Sequence, residues 1–217
     1  MAICPICKTQ NKDFVNGPAG RVAVSCSVCG SLERHRELFL LIQEVLGPHT
    51  LNKGKLLHLA PEACLKPVLT NLLGTSKYIT ADLHMKGVTL KADVTNMQIS
   101  DNTFSTVICN HMLEHIPDDI KAMKEIYRVL ASDGIAIISV PMGDDVTDED
   151  LSINTPAGRL EKYGQHDHVR LYGFDIQNRL RSVGFNVSHI SLSSLRDRGY
   201  RERYRLSKSD HFFICRK

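Results

Sequence analysis

The sequence predicts an α/β protein, a mostly parallel sheet with helices on both faces, with a small cysteine-rich module at its amino terminus. Three observations carry that expectation. Residues 104–141 read without a break as strand, short polar loop, amphipathic helix, glycine turn and second strand. Two more strand-like runs, Lys55–Ala60 and Tyr78–Leu83, lie upstream with a helix-length segment between them. Two Cys-x-x-Cys pairs fall within the first thirty residues.

Phe104–Cys109 and Ile135–Val140 are short apolar runs rich in β-branched residues, which suits buried parallel strands. Between them Asp118 or Asp119 can cap a helix, and Ile120, Met123, Ile126, Tyr127 and Leu130 recur at three- and four-residue steps that share one face. Gly134 is read as its stop. Asn110, His111, Glu114 and His115 then follow the carboxyl end of the first strand, where open α/β sheets hold their ligands.

Asp82 closes the Tyr78–Leu83 strand, about twenty positions beyond the first strand-to-helix turn, a place from which a carboxylate accepts from both hydroxyls of a ribose. Asp93 follows a short third strand. Together they suit a nucleoside, one reaching the sugar and the other the exocyclic amine of adenine. Each alone reads more readily as a cap or turn residue.

Cys4, Cys7, Cys26 and Cys29 form two pairs separated by eighteen residues, a spacing at which two knuckles close on one zinc ion. Four thiolates complete a closed tetrahedral site with no open position, so the expected role is structural. A zinc ribbon is favoured over two disulfides because Met1-Ala2-Ile3 leads straight into the first pair without a secretory signal, and a reducing cytoplasm is the expected setting. Cys64, Cys109 and Cys215 lack such spacing and read as buried small apolar residues rather than redox or nucleophilic thiols.

A chain of 217 residues holds one α/β domain of ordinary size plus a metal-stapled appendage. The expected division is a ribbon at 1–31, a linking helix at 32–49 and the α/β domain at 50–217. A net charge of +3 argues against a nucleic-acid binder with a large basic face, and no apolar run reaches the length of a membrane span. In the linking helix, Arg34, His35 and Arg36 either form a solvated or salt-bridged face, the favoured reading, or meet an anionic substrate.

Residues 142–172 are the longest stretch without periodicity, and such connections at a strand's carboxyl end often serve as lids or substrate loops. Within them, Gly164–Arg170 packs two histidines, a carboxylate and a guanidinium into seven residues. Substrate positioning or acid/base work by Gln165, His166, His168 and Arg170 competes with structural hydrogen bonding and, more remotely, a second metal site. Nearer the end, five arginines and two tyrosines interleave in residues 194–209; a connecting loop is favoured there over an RNA grip.

These residues resemble the class I S-adenosylmethionine-dependent methyltransferases of the type 11 kind over residues 50–217, most strongly through DNTFSTVICNHMLEHIPDDIKAMKEIYRVLASDGIAIISVP. The resemblance implies a Rossmann-like seven-stranded sheet with an antiparallel hairpin at one edge. It implies Asp82 and Leu83 at the ribose, Asp93 and Val94 at the adenine, and Asn110 and His111 beside the methionine part of S-adenosylmethionine. The family's glycine-rich first turn is replaced by Ala60, Pro61 and Glu62. That change disfavours a pyrophosphate ligand, which needs close backbone approach, and makes positive φ harder to take. The tripeptide resembles an Ala-Pro-Glu variant in which Glu62 meets the cofactor's ammonium and Pro61 opens a helix. The QHDHVR segment resembles zinc-ribbon methyltransferase-like sequences.

The expected activity is methyl transfer from S-adenosylmethionine to an oxygen, nitrogen or sulfur nucleophile of a small-molecule acceptor, with His111 and His166 as catalytic bases and His115 among the substrate residues. Two other readings stay open: an RNA-modifying enzyme whose partner is nucleic acid, and a non-catalytic cofactor-binding module.

Overall fold

The computed structural model describes residues 1–11, 14–207 and 210–217. Lys12 and Asp13 of the expected ribbon, and Lys208 and Ser209 of the arginine-rich stretch, lie outside the described residues. In chain order the elements are β1 (Ala2–Ile3), β2 (Gln10–Asn11), α1 (Glu33–Leu40), β3 (Leu56–Leu59), α2 (Lys66–Leu73), β4 (Tyr78–Asp82), β5 (Leu90–Lys91), β6 (Phe104–Asn110), α3 (Asp119–Val129), β7 (Leu130–Ser139), β8 (Asp148–Glu149), α4 (Pro156–Tyr163), β9 (Arg170–Leu171), α5 (Ile176–Ser182), β10 (Asn186–Ile190), α6 (Leu192–Leu195), α7 (Arg198–Tyr204) and β11 (Phe212–Arg216). The chain forms two compact units. An amino-terminal unit comprises Met1–Lys53, Pro61–Tyr78 and Ser191–Asp210; a sheet unit comprises Gly54–Ala60, Ile79–Ile190 and His211–Lys217. The expected division at 31 and 49 is sequential, whereas these units interleave.

The main sheet has seven strands in the order β10-β11-β7-β6-β3-β4-β5. β3 with β6, β6 with β7, and β4 with β5 are parallel, while β10 and β11 form the antiparallel pair at one edge. This is the Rossmann-like sheet with flanking helices that the sequence predicts. Alternate residues Leu57 and Leu59, Val107 and Cys109, Ala136 and Ile138, and Phe213 and Cys215 join the same core as Met123 and Ile126 of α3 and Ile176 and Leu180 of α5. The alternation of strands and the 3.6-residue repeat of helices thus meet on one face.

α3 begins as the sequence dictates: Asp118 caps it by accepting from the Lys121 amide at 2.9 Å. Its end differs from expectation. The helix stops at Val129, and Leu130 already has extended backbone and pairs with Phe104. Five residues then advance on β7 while two advance on β6, so Gly134 sits in a bulge rather than a helix stop. The last helix of the sheet unit before the edge hairpin, α5, ends at Ser182, and the two hairpin strands open at Asn186 and Phe212.

The expected loop at 142–172 is ordered. β8 pairs antiparallel with β9, and α4 between them is capped by Thr155, which accepts from Gly158 N–H, and ended by Gly164 at φ +78°. The glycine at 173 is required by close approach, because a Cβ there would lie 2.4 Å from the Val146 carbonyl carbon.

The amino-terminal unit is organised around Arg36, which is fully buried. Its guanidinium donates to the carbonyls of Ser31, of Val24 at 3.0 Å, of Tyr204 at 2.9 Å and of Arg205 at 2.5 Å. Arg36 is therefore neither a solvated face nor a substrate contact. The arginine-rich stretch is helical rather than a loop, and its charges are paired: Arg196 and Tyr200 both reach Glu44, and Arg198 reaches Glu202.

Candidate functional site

In the sheet unit, strand order reverses between β3 and β6, since β4 lies on one side of β3 and β6 on the other. Open α/β sheets bind ligands at such a switch point. The residues that follow these two strands, Ala60 and His111, are both left-handed, at φ +45° and +49°, although neither is glycine. That backbone costs an L-residue roughly 1–2 kcal/mol, and strain of this kind collects at ligand-binding turns. The glycine-free turn therefore adopts positive φ after all, tied by Ala60 N–H to Ala81 O at 2.9 Å, as His111 N–H is tied to Ser139 O at 2.8 Å.

Asp82 ends β4, and its Oδ1 accepts from the amides of His84 and Met85, both at 2.7 Å. Asp93 Oδ1 accepts from the Thr95 amide and hydroxyl, both at 2.8 Å, and the amide bond foremost holds this carboxyl below its usual range. Leu83 is exposed, Val94 and Asn110 buried. Pro61 does not open a helix: α2 starts at Lys66 with Pro67 in its first turn. Pro61 and Glu62 belong to the amino-terminal unit, where Glu62 Oε1 is 4.0 Å from His35 Nε2. Cys64 is in the same unit, its Sγ 3.4 Å from His35 Nδ1, with the thiol pushed up to about 12 by burial and then by Glu62.

A single 3₁₀ turn, Leu113–His115, follows β6 and puts a buried carboxylate among histidines. Glu114 Oε1 lies 3.7 Å from His111 Nδ1 and 3.9 Å from His115 Nε2. His115 Nδ1 is 3.3 Å from Asp167 Oδ2, and its ring meets that of His168 edge-on at 4.8 Å. His168 is buried, which with the neighbouring His115 depresses its pKa to about 4. One ligand atom each from Glu114, His115 and His168 falls within 4.8 Å of the others. Gln165 and His166 are exposed and enter none of these contacts.

Arg170, expected to meet substrate, instead has a structural task. It is fully buried, and a guanidinium has five N–H donors. Nε and Nη2 donate to Glu149 Oε1 at 2.8 and 2.5 Å; Nη1 donates to Leu113 O at 3.0 Å and Ile116 O at 2.5 Å, and Nη2 to Pro117 O at 2.8 Å. No donor is left for a ligand. Burial raises the Glu149 carboxyl, but the bonds from Arg179 and Arg170 outweigh it and hold the group below its usual range. Arg179 also reaches Asp119, which accepts from Tyr172 Oη at 2.6 Å. The network fixes the turn that carries Glu114 and His115. The sequence places Glu114 only among the residues past the carboxyl end of β6, and Asp167 only as a group able to orient a neighbouring histidine, although the H-x-x-E-H spacing already groups His111, Glu114 and His115 on one turn.

In the amino-terminal unit the four expected cysteines converge. Their Sγ atoms all lie within 4.8 Å of one another, with Cys4–Cys29 at 3.6 Å and Cys7–Cys26 at 3.7 Å. A tetrahedron of Zn–S bonds has S···S edges of about 3.8 Å, so the thiols fit one metal ion and stand too far apart for disulfides. The two Cys-x-x-Cys pairs sit in knuckles of the same backbone form. Lys8 N–H donates to Cys4 O and Gly30 N–H to Cys26 O, both at 2.9 Å, and Cys4 and Cys26 donate to Thr9 and Ser31 carbonyls. Lys8 and Gly30 are correspondingly left-handed, at φ +62° and +70°.

Residues 70–138 match the family described as a methyltransferase domain. The chain's fold is similar to that of phosphoethanolamine N-methyltransferase 2 of Haemonchus contortus, solved with phosphomonomethylethanolamine and S-adenosylhomocysteine: TM-score 0.56, 17% identity, over 84% of this chain and 53% of that one. It is similar also to a S-adenosylmethionine-dependent methyltransferase of Archaeoglobus fulgidus: TM-score 0.56, 13% identity, over 87% of this chain and 95% of that one. An uncharacterized protein of Methanocaldococcus jannaschii is 35% identical over 60 residues, 28% of this chain and 26% of that protein. The chain thus spans about half of the Haemonchus enzyme and a quarter of the Methanocaldococcus protein. Among the described residues no helix is long and apolar enough to cross a membrane.

Replacing Arg170 by Met removes the donors met by three carbonyls and a carboxylate, and the expected loss is about 3–5 kcal/mol, the range for breaking a buried pair. Arg170→Lys recovers little, because one ammonium cannot meet the same fork of acceptors. Denaturant unfolding of the three proteins measures it; a loss below about 1 kcal/mol in the Met variant contradicts the bracket role.

Proposed function

We propose that this chain is a methyltransferase that takes its methyl group from S-adenosylmethionine and passes it to an oxygen, nitrogen or sulfur nucleophile of a small-molecule acceptor. The observation that carries this reading is the pair of strained turns at Ala60 and His111, set on neighbouring parallel strands with Asp82 at the end of the next. A sulfonium cofactor, when bound, supplies an electrophilic methyl group; the chain's part is orientation and proton transfer. Asp82 accepts from the ribose hydroxyls, with its free rotation removed by the His84 and Met85 amides. Asp93 accepts from the adenine amine, Val94 gives the ring an apolar wall and Asn110 lines the methionine end. His111 takes the acceptor's proton, and the Glu114 carboxylate near its Nδ1 favours the imidazolium so formed.

The decisive experiment offers methyl-labelled S-adenosylmethionine with small-molecule, RNA and protein fractions of a lysate. Label in a small molecule is expected; label in RNA would move the acceptor to nucleic acid, and no transfer to any fraction would leave a binding module. With the acceptor in hand, His111→Gln should leave cofactor affinity nearly intact and lower single-turnover rates by about 10²- to 10⁴-fold.

Asp82→Asn keeps an oxygen for the two amides but removes the charge. S-adenosylhomocysteine should then bind about tenfold or more weakly, since hydrogen bonds to charged groups contribute about 1.5–3 kcal/mol. Unchanged affinity by calorimetry would remove Asp82 from the ribose.

At the amino terminus, Cys4, Cys7, Cys26 and Cys29 hold one structural zinc ion in a ribbon over residues 1–31. Purified protein should contain one zinc per chain at this site, lost in Cys26→Ser together with amino-terminal structure. Metal analysis and thiol titration check it; four freely reactive thiols in a folded, metal-free protein would refute the assignment.

A further inference from the structure

We propose that Glu114, His115 and His168 form a second metal site, for a divalent first-row transition ion, in the sheet unit. Two imidazoles and one carboxylate are a donor set for such ions that leaves coordination positions open, unlike the closed four-cysteine site.

Four observations carry it. The first is convergence: three ligand atoms from residues 114, 115 and 168 lie within 4.8 Å of one another. The second is their spacing. His115 Nε2 stands 3.9 Å from Glu114 Oε1, too far for a hydrogen bond, which needs about 2.7–3.2 Å. Ligands of one ion with bonds near 2.1 Å are separated by about 3–4.2 Å, so an ion suits the gap that a proton does not. The third is His168, which is 2% exposed and whose Nδ1 is buried without a hydrogen-bond partner among the described residues. Buried polar atoms are ordinarily paired, and this one is not. The fourth is Asp167. Its Oδ2 lies 3.3 Å from His115 Nδ1, a charge that favours a proton on that far nitrogen and leaves Nε2, 3.9 Å from Glu114 Oε1, for an ion. A carboxylate behind the far nitrogen is the usual support of a metal-bound histidine.

The backbone holds these groups in place without the ion. Val169 N–H donates to Glu114 O at 2.9 Å, and Arg170 grips the carbonyls of Leu113 and Ile116 on either side of the turn. His115 is the open side, with about a third of its side chain exposed, so water or an oxygen ligand can complete the coordination. The site does not depend on methyl transfer, and its test stands apart from that activity.

Mn²⁺ is the probe, because thiolates hold it poorly and the cysteine site stays silent. Protein dialysed against a mild chelator, with its retained zinc counted, is titrated with Mn²⁺ by calorimetry and by electron paramagnetic resonance. One Mn²⁺ per chain is expected. Asp167→Asn should weaken it by about 10- to 100-fold, as loss of a supporting carboxylate does, and His115→Gln and His168→Gln should weaken it further, with His166→Gln unchanged. His115 is partly exposed, so its variant keeps the test sound if the buried His168 variant misfolds, and circular dichroism reports that. No Mn²⁺ uptake by the wild type, or equal affinity in wild type and His115→Gln, would overturn the site.

Discussion

A guanidinium taken out of water must have its N–H groups met, and each unit of this protein is organised around one such group. Arg36 gathers carbonyls from residues 24, 31, 204 and 205, so the knuckle region, α1 and the end of α7 share one electrostatic knot. Arg170 gathers the carbonyls of 113, 116 and 117 with the carboxylate of Glu149. Arginine is suited to this task because its planar fork meets several acceptors at once and stays charged. Neither residue is a surface cation available to a ligand.

The second knot sets the position of the chemistry. The turn after β6 has no regular partner strand for its carbonyls, and Arg170 supplies donors to those of Leu113, Ile116 and Pro117. With it, Glu114 and His115 are presented from a fixed backbone towards His168, two residues from the arginine itself. A buried carboxylate is thereby kept beside three imidazoles at distances that mobile loops do not hold. The strained turns at Ala60 and His111 lie at the ends of β3 and β6, whose register is set by four paired residues, so a stiff sheet absorbs their cost.

Much of this was legible in the residues. Phe104–Cys109 and the 120–130 periodicity mark a strand and a helix because burial there is set by local pattern. The cysteine spacing likewise fixes which thiols meet. What local pattern could not show is contact over long separations. Arg170 finds carbonyls more than fifty positions upstream, so the residue looked like a substrate ligand within its own charged heptapeptide. β8 and β9 are two residues each, too short for alternation to register. Gly134 misled because a glycine near a helix end and one in a bulge look alike until strand pairing is known. The interleaved units were likewise hidden, since residues 61–78 and 191–210 join the amino-terminal unit through tertiary contacts alone.

The two cysteine knuckles share one backbone path, yet one places glycine and the other lysine at the left-handed position. A Cβ at Gly30 would meet nothing within 4 Å, so that corner is bare to solvent, whereas Lys8 reaches over the Phe39 ring with Nζ 5.4 Å from its centroid. The near-symmetric pair therefore has a front and a back. One corner is anchored to α1 by a cation against an aromatic face, a contact of about 0.5–1 kcal/mol when exposed, and the other has no side chain at its left-handed position to make such a contact. Any loosening of the module should begin at the glycine corner and propagate towards the lysine, giving an otherwise two-fold motif a direction of opening.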